Sequence, residues 1–220
     1  MIQIYKDPHF IDKFTIYGER HTGTKFLEQS ITSTFSLNVT YFFGFKHWLG
    51  FCKPETITYK DRGTLFFGTT RHPYDWLNSF FNLPHHVPKE NRNTFEHFLL
   101  NEWYSVNSQK QEITQDRNFN TPYPHTKYKN IFDLRKNKLK YLTLVMPEIA
   151  KNYVLVSYEF MTAHHEQFIN LISNRFHLIK RGSPAIPIIR PQIILDTKIK
   201  EIIDSNIDWS LESIFGYYPR

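Results

Sequence analysis

Residues 18–25 read Gly-Glu-Arg-His-Thr-Gly-Thr-Lys and lie between a β-prone run and a helical pattern. A turn of this composition brings backbone N–H groups and a helix N-terminus to one point, an arrangement that binds an anion such as a phosphate. Arg20, His21, Thr22, Gly23, Thr24 and Lys25 are therefore candidate phosphate contacts.

A second group is Arg71-His72-Pro73, which follows a long apolar run, with Ser79 two helical turns further on. Arg71 offers a planar, permanently charged fork and Ser79 a hydroxyl donor, so the pair can hold one phosphate. The spacing of Gly18 and Gly23 is that of a triphosphatase P-loop, but Thr24-Lys25 reverses the Lys-Ser/Thr order that places lysine on phosphate and hydroxyl on magnesium. Such an enzyme also presents an aspartate after a hydrophobic strand to help hold the metal, where this chain presents Arg71. These residues point to phosphate binding without a metal.

For proton removal, a histidine, with an unperturbed pKa of about 6.5, suits a general base, which makes His47 the first candidate, and Lys46 beside it can neutralise charge on a transferring group. Neighbours on an extended chain point to opposite sides, so both reach one site only from a turn, for which Gly44 and Gly50 provide. Glu19 is the rival base, ranked lower because beside Arg20 it can serve as an ion-paired loop residue. His85-His86, between Pro84 and Pro88, form a weak metal-ligand set and read as part of an acceptor-binding loop. Arg135, Lys136, Lys138 and Lys140 read as a solvated helix face.

Elements must hold these groups. Residues 14–17, 38–43, 64–70 and 153–157 are β-prone runs, and residues 24–34 carry helical spacing. Pro73 suits the first turn of a helix that Pro84 stops. Further helices are expected at 166–176, 197–205 and 211–215, with a Pro-punctuated stretch over 181–191. Alternating strands and helices predict an α/β fold of three layers, a central parallel β-sheet flanked by helices, with ligands at the C-terminal strand ends. Residues 104–130, rich in Gln, Asn, Thr, Lys and Pro, read as a lid or acceptor loop.

The composition sets the outer bounds. With 40% hydrophobic and 17% aromatic residues in 220, the chain cannot be disordered and fits a single domain, 1–220. A formal charge of +6 favours an anionic partner: a phosphorylated nucleotide, a nucleic acid or an acidic glycan. The single cysteine, Cys52, allows neither an internal disulfide nor a Cys-based zinc site, so a cytoplasmic setting is the default expectation. No stretch is long and apolar enough to suit a membrane span, so no membrane partner is expected.

Taken together, these residues resemble the sulfotransferase superfamily, whose first motif follows strand one and whose second runs Arg, Pro two later, Ser eight later. Arg71, Pro73 and Ser79 fit that spacing. More narrowly, Tyr-Gly-Glu-Arg-His-Thr-Gly-Thr-Lys-Phe-Leu at 17–27 is similar to sulfotransferase-like proteins with a G-E-R-N-S-G-T-N-Y-L loop, departing from it at His21, Thr22 and Lys25. Further echoes are Lys46-His47, Phe95-Glu96 with Phe98, Glu102-Trp103, Tyr158-Glu159, and the closing Asp208-Trp209, Glu212 and Gly216-Tyr217.

The resemblance implies a P-loop-like fold and an enzyme, a metal-independent transferase. It would move a sulfuryl group from 3′-phosphoadenosine 5′-phosphosulfate (PAPS) to an acceptor hydroxyl on a small molecule or glycan, leaving adenosine 3′,5′-bisphosphate (PAP). It sets the donor's 5′-phosphosulfate over residues 20–25 and its 3′-phosphate on Arg71 and Ser79, with His47 as base for in-line displacement. Many members carry a lysine at the position of His21, where it stabilises the leaving phosphate; a protonated His21, or Arg20, Lys25 or Lys46, can supply that charge. Two alternatives remain open: a P-loop kinase or nucleotide hydrolase, and a non-catalytic polyanion-binding module favoured by charge and aromatic content. The ordered motifs weigh against the module, and no nucleic-acid partner is expected.

Overall fold

The structure is a computed structural model and describes residues 1–6, 10–47, 63–114, 116, 127–187 and 193–220. Gly50 and Cys52, residues 115 and 117–126 of the expected lid, and residues 188–191 of the Pro-punctuated stretch lie outside the described residues. In chain order the strands are β1 (Ile2–Tyr5), β2 (Lys13–Gly18), β3 (Asn38–Val39), β4 (Thr64–Thr70) and β5 (Tyr153–Ser157). The α-helices are α1 (Thr24–Phe35), α2 (Pro73–Asn82), α3 (Phe95–Leu100), α4 (Ile131–Lys140), α5 (Met146–Ile149), α6 (Tyr158–Ala163), α7 (His165–Phe176), α8 (Thr197–Asn206) and α9 (Trp209–Glu212). The chain groups into two compact units, Met1–Arg71 with Tyr141–Pro191, and His72–Lys140 with Gln192–Arg220.

The first unit carries one five-stranded sheet in the order β1-β5-β4-β2-β3. Strands β2 to β5 pair in parallel, but β1 runs antiparallel to β5, with Ile2 opposite Val156 and Tyr5 opposite Tyr153. The sheet is thus mixed, not wholly parallel as expected. The physical reason is position: β4 and β5 are buried along their whole length and need continuous apolar runs, whereas β1 is a half-exposed edge strand that is free to pair in the other direction.

The β-prone run at 38–43 also yields less strand than expected. Pairing stops at Val39, Thr40 donates to the Phe14 carbonyl at 2.7 Å, and the chain then turns, with the Gly44 N–H on the Tyr41 carbonyl at 3.1 Å. Gly44 has φ 97, a conformation that costs glycine little and ends the extended chain.

Strand alternation splits the sheet's side chains between two faces. Phe14, Ile16, Phe67 and Val156 join Leu27 and Ile31 of α1, Met161 of α6, and Phe168 and Ile172 of α7 in one buried cluster. Tyr17, Phe66 and Tyr153 face the other way, where the Tyr153 hydroxyl donates to the Leu142 carbonyl at 2.9 Å in the π-helical turn Tyr141–Val145.

The second unit builds its core from aromatic rings on α2 and α3 and the segment after them. Phe98 lies edge-on to Phe80 and Trp103, with centroids 5.3 Å and 5.2 Å away. Here the basic run departs from expectation. Arg135 and Lys138 of α4 are buried: Arg135 forks onto the Glu212 carboxylate, with Nη2 2.8 Å from Oε2, and Lys138 Nζ lies 2.6 Å from Asp116 Oδ1. Only Lys136 and Lys140 are solvated. The partner carboxylates lie far away in sequence, so a local charge pattern cannot reveal them. Among the described residues no helix is long and apolar enough to cross a membrane.

A buried guanidinium stripped of its carboxylate keeps its desolvation cost and loses the compensating attraction. Glu212→Leu is therefore expected to lower stability by about 3–5 kcal/mol, and pairing it with Arg135→Met, which leaves no buried polar group of the pair, to recover most of the loss. Urea midpoints of the single and double variants check both expectations.

Candidate functional site

Strand β2 ends at Gly18 against β4, with Gly18 opposite Thr69. A Cβ on Gly18 would stand 2.1 Å from the Thr69 hydroxyl and 2.8 Å from that of Thr22, so no side chain fits there. The Thr22 hydroxyl donates to the Glu19 carbonyl at 2.7 Å and lies 2.8 Å from the Thr69 hydroxyl. Its single proton is spent on Glu19, so Thr69 is the donor to Thr22. Together they fasten the loop of residues 18–25 to the tip of β4.

The loop then enters α1 through two left-handed residues, His21 with φ 65 and Gly23 with φ 87. Gly23 caps α1 without any side-chain hydrogen bond. The first N–H groups of a helix have no intrahelical acceptor, so Thr24 and Lys25 present theirs at the helix's positive end. Lys25 is exposed there, and the Thr24 side chain is buried.

Not every expected phosphate contact points outward. Arg20 is 2% exposed; its backbone N–H donates to Glu19 Oε1 at 2.7 Å, and its Nε lies 2.8 Å from the same oxygen. That last pair is close enough to share charge but is not aligned as a hydrogen bond. Arg20 and Thr22 thus hold the loop from within. Glu19 is engaged by its own neighbour, which leaves it the weaker candidate base.

Arg71 follows β4 directly. Its Nη1 donates to the His21 carbonyl at 3.3 Å, and its guanidinium lies over the Tyr158 ring, 4.8 Å from the centroid. The same ring fills the space above Gly23, where a Cβ would meet it at 2.6 Å. Tyr158 is thus stacked between the loop and Arg71, a role that its sequence position after β5 did not declare. Ser79 lies in the second unit, buried on α2, where its carbonyl accepts the Leu83 N–H at 3.2 Å.

Lys46 and His47 lie in a turn, as both needed, but they go to different partners. Lys46 Nζ is 3.2 Å from Glu28 Oε2 on α1, and its carbonyl accepts the Gly18 N–H at 3.0 Å. His47 is buried, with Nδ1 2.8 Å from the Gly18 carbonyl. A carbonyl only accepts, so Nδ1 carries the proton and the neutral ring's lone pair sits on Nε2, the arrangement a general base requires.

No protein-family model, curated protein or solved structure matches the chain. Among the described residues no three His, Cys, Asp or Glu side chains cluster as a metal ion would need. His86 takes a left-handed φ of 59 and sets Nδ1 2.8 Å from the Val106 carbonyl, which gives the His85-His86 pair a place in the loop's own structure.

His72, next to Arg71 in sequence, caps α2 in the second unit. Its Nδ1 accepts from the Tyr74 N–H at 3.3 Å and from Arg220 Nη2 at 2.9 Å, while Nε2 donates to the Tyr218 carbonyl at 3.1 Å. Asp75 joins the group, with Oδ2 2.6 Å from Arg220 Nη2. Burial, with the Arg220 guanidinium beside it, pushes the imidazole down to about 4, against the weaker pull of Tyr218 and Asp75.

Between that value and the ordinary 6.5, the unfolded chain binds a proton that the folded one refuses. Stability is expected to be full above pH 6.5 and to fall as the pH drops to 4, His72 contributing up to about 3 kcal/mol of the loss. His72→Gln keeps an acceptor and a donor but cannot titrate, so urea unfolding across this range should show a flatter profile for the variant than for the wild type.

Proposed function

We propose that the chain is a sulfotransferase, with a P-loop-like fold, that moves a sulfuryl group from PAPS to an acceptor hydroxyl. The observation that supports it is the convergence, within the first unit, of the α1 N-terminus, the Arg71 guanidinium and the His47 ring on residues 18–25. Such a donor carries two separated anionic groups, and its transfer reaction needs a base beside one of them.

The N–H groups of Thr24 and Lys25 suit the 5′-phosphosulfate, and Arg71, with its fork of N–H donors, suits the 3′-phosphate. In the transfer, the acceptor oxygen bonds to sulfur as the bond from sulfur to the 5′-phosphate oxygen breaks. The acceptor's proton passes to His47 Nε2, and the leaving PAP keeps the electron pair. Lys25, or His21 as an imidazolium, offsets the charge that develops on the leaving phosphate. Lys46 is assigned a lesser part, since its ammonium already pairs with Glu28.

Calorimetric titration with PAP, AMP and ATP plus magnesium tests the reading. PAP is expected to bind without metal at least about tenfold tighter than AMP, because a site built for two phosphates leaves donors unpaired around one. Arg71→Ala should remove most of that preference. Preference for magnesium ATP would overturn the sulfotransferase in favour of a kinase or nucleotide hydrolase.

His47→Asn separates binding from chemistry, since its amide can still donate to the Gly18 carbonyl. The variant is expected to bind PAP as the wild type does and to release PAP from PAPS at least about 100-fold more slowly. Full turnover in this variant would remove His47 as the base.

A further inference from the structure

The Pro-punctuated stretch that follows α7 has no part in the site above. Its described portion, residues 178–187, reads Leu-Ile-Lys-Arg-Gly-Ser-Pro-Ala-Ile-Pro, belongs to the first unit and forms neither helix nor strand. Pro184 and Pro187 fix their own φ at about −65° and keep Ser183 and Ile186 before them out of the helical region. Over residues 183–187 the chain is thereby restricted towards polyproline II, a helix of about three residues per turn that rises about 3.1 Å per residue. In that geometry Pro184 and Pro187 share one side, about 9 Å apart, and Ser183 and Ile186 share the next.

The start of the segment is fastened. The N–H groups of Arg181 and Gly182 both donate to the Thr34 carbonyl at the C-terminal end of α1, at 2.7 Å and 3.3 Å. A Cβ on Gly182 would stand 2.4 Å from the Ser33 carbonyl oxygen, so this residue lies directly against α1. Beyond it Ser183 and Pro184 are exposed, Ile186 is 88% exposed and Pro187 is half-buried. Anchoring and proline restriction remove in advance much of the entropy that an extended chain loses on docking. Charge is added at the anchored end: Arg181 is exposed, and Lys180 donates to Asn170 Oδ1, a neutral acceptor that leaves its charge uncancelled.

A basic pair alone would suit any polyanion, but prolines three apart on a restricted, exposed chain select a different partner. Their rings fit between the side chains of an aromatic-lined groove, the mode in which Pro-x-x-Pro segments are read. We infer that residues 181–187 are a docking segment for a protein domain of the SH3 type, whose aromatic groove takes Ser183-Pro184 and Ile186-Pro187 and whose acidic rim takes Arg181. The segment shares no residue with the loop of residues 18–25, Arg71 or His47, so the inference goes beyond the sulfotransferase reading and does not depend on it.

The test is an NMR titration of a panel of isotope-labelled SH3 domains, chosen for acidic-rimmed grooves, with the unlabelled full chain. At least one domain is expected to show resonance shifts in its aromatic groove and rim. The Pro184→Ala, Pro187→Ala double variant should weaken that binding at least about tenfold, and Arg181→Glu by a similar factor. Added salt should weaken binding of the wild type, because the Arg181 contact is a screened surface attraction. Proline has no backbone N–H, so the double variant breaks no hydrogen bond donated by those residues, and melting curves establish that it is folded. Arg181→Glu alters an exposed side chain and keeps the backbone bond to Thr34, so it tests the segment even if the double variant melts low. Three results overturn the inference: no groove shifts in any domain of the panel, undiminished binding of the folded double variant, or undiminished binding of Arg181→Glu.

Discussion

Gly18 ends β2 with its N–H on the Lys46 carbonyl, its own carbonyl on the His47 ring, and the Thr69 hydroxyl where a side chain would begin. Three features of the first unit's site thus depend on one residue having no Cβ. The turn that carries Lys46 and His47 is tied to the loop by those two hydrogen bonds, and the loop is tied to β4 by the hydroxyl that occupies the vacant volume. Any larger residue would push β4 or the loop outward and move the imidazole with it, since packed interiors give way in steps and not smoothly.

The two units are stabilised by different chemistry. In the first, the central strands β4 and β5, buried along their whole length, are held by aliphatic and aromatic packing. In the second, an aromatic cluster is accompanied by two buried ion pairs, Arg135 with Glu212 and Lys138 with Asp116. Such pairs add little net stability against an apolar equivalent, because desolvation cancels much of the attraction, but they strongly penalise any arrangement that separates them. Arg135 also lies over Trp76, 4.7 Å from the ring centroid, so one side chain links α2, α4 and α9. The cost of misplacing it specifies how these three helices meet.

How much of this is legible in the sequence depends on whether the cause is local. The bounds of β4 and β5 follow from uninterrupted apolar runs, and the start of α2 from Pro73, because burial and backbone restriction act on the residues that carry them. Residues 18–25, Arg71 and His47 stand out as candidates by type and position. The inward direction of Arg20 and Thr22 does not, because it depends on Thr69, which only the sheet register brings alongside. The antiparallel edge strand β1 and the early end of β3 escape for a related reason: the first is set by what lies beside it, and the second by a Gly44 turn that leaves strand-forming aromatics exposed. The burial of Arg135 and Lys138 depends on carboxylates that no helical pattern can reach.

Each unit is assembled from stretches that are not adjacent in the chain, and this constrains the order in which a growing polypeptide can fold. Strand β5, the link between β1 and β4, is made only after the whole run from α2 to α4 has been added. The carboxylate that neutralises Arg135 comes 77 positions after it. Domains made on the ribosome ordinarily fold as each is completed, but here the first unit is completed only after most of the second has been made, and the second only once residues 192–220 have followed. Aromatic surface on α2 and α3 must therefore wait in water for its partners, so synthesis is the stage at which this protein is most exposed to aggregation and to holding by chaperones.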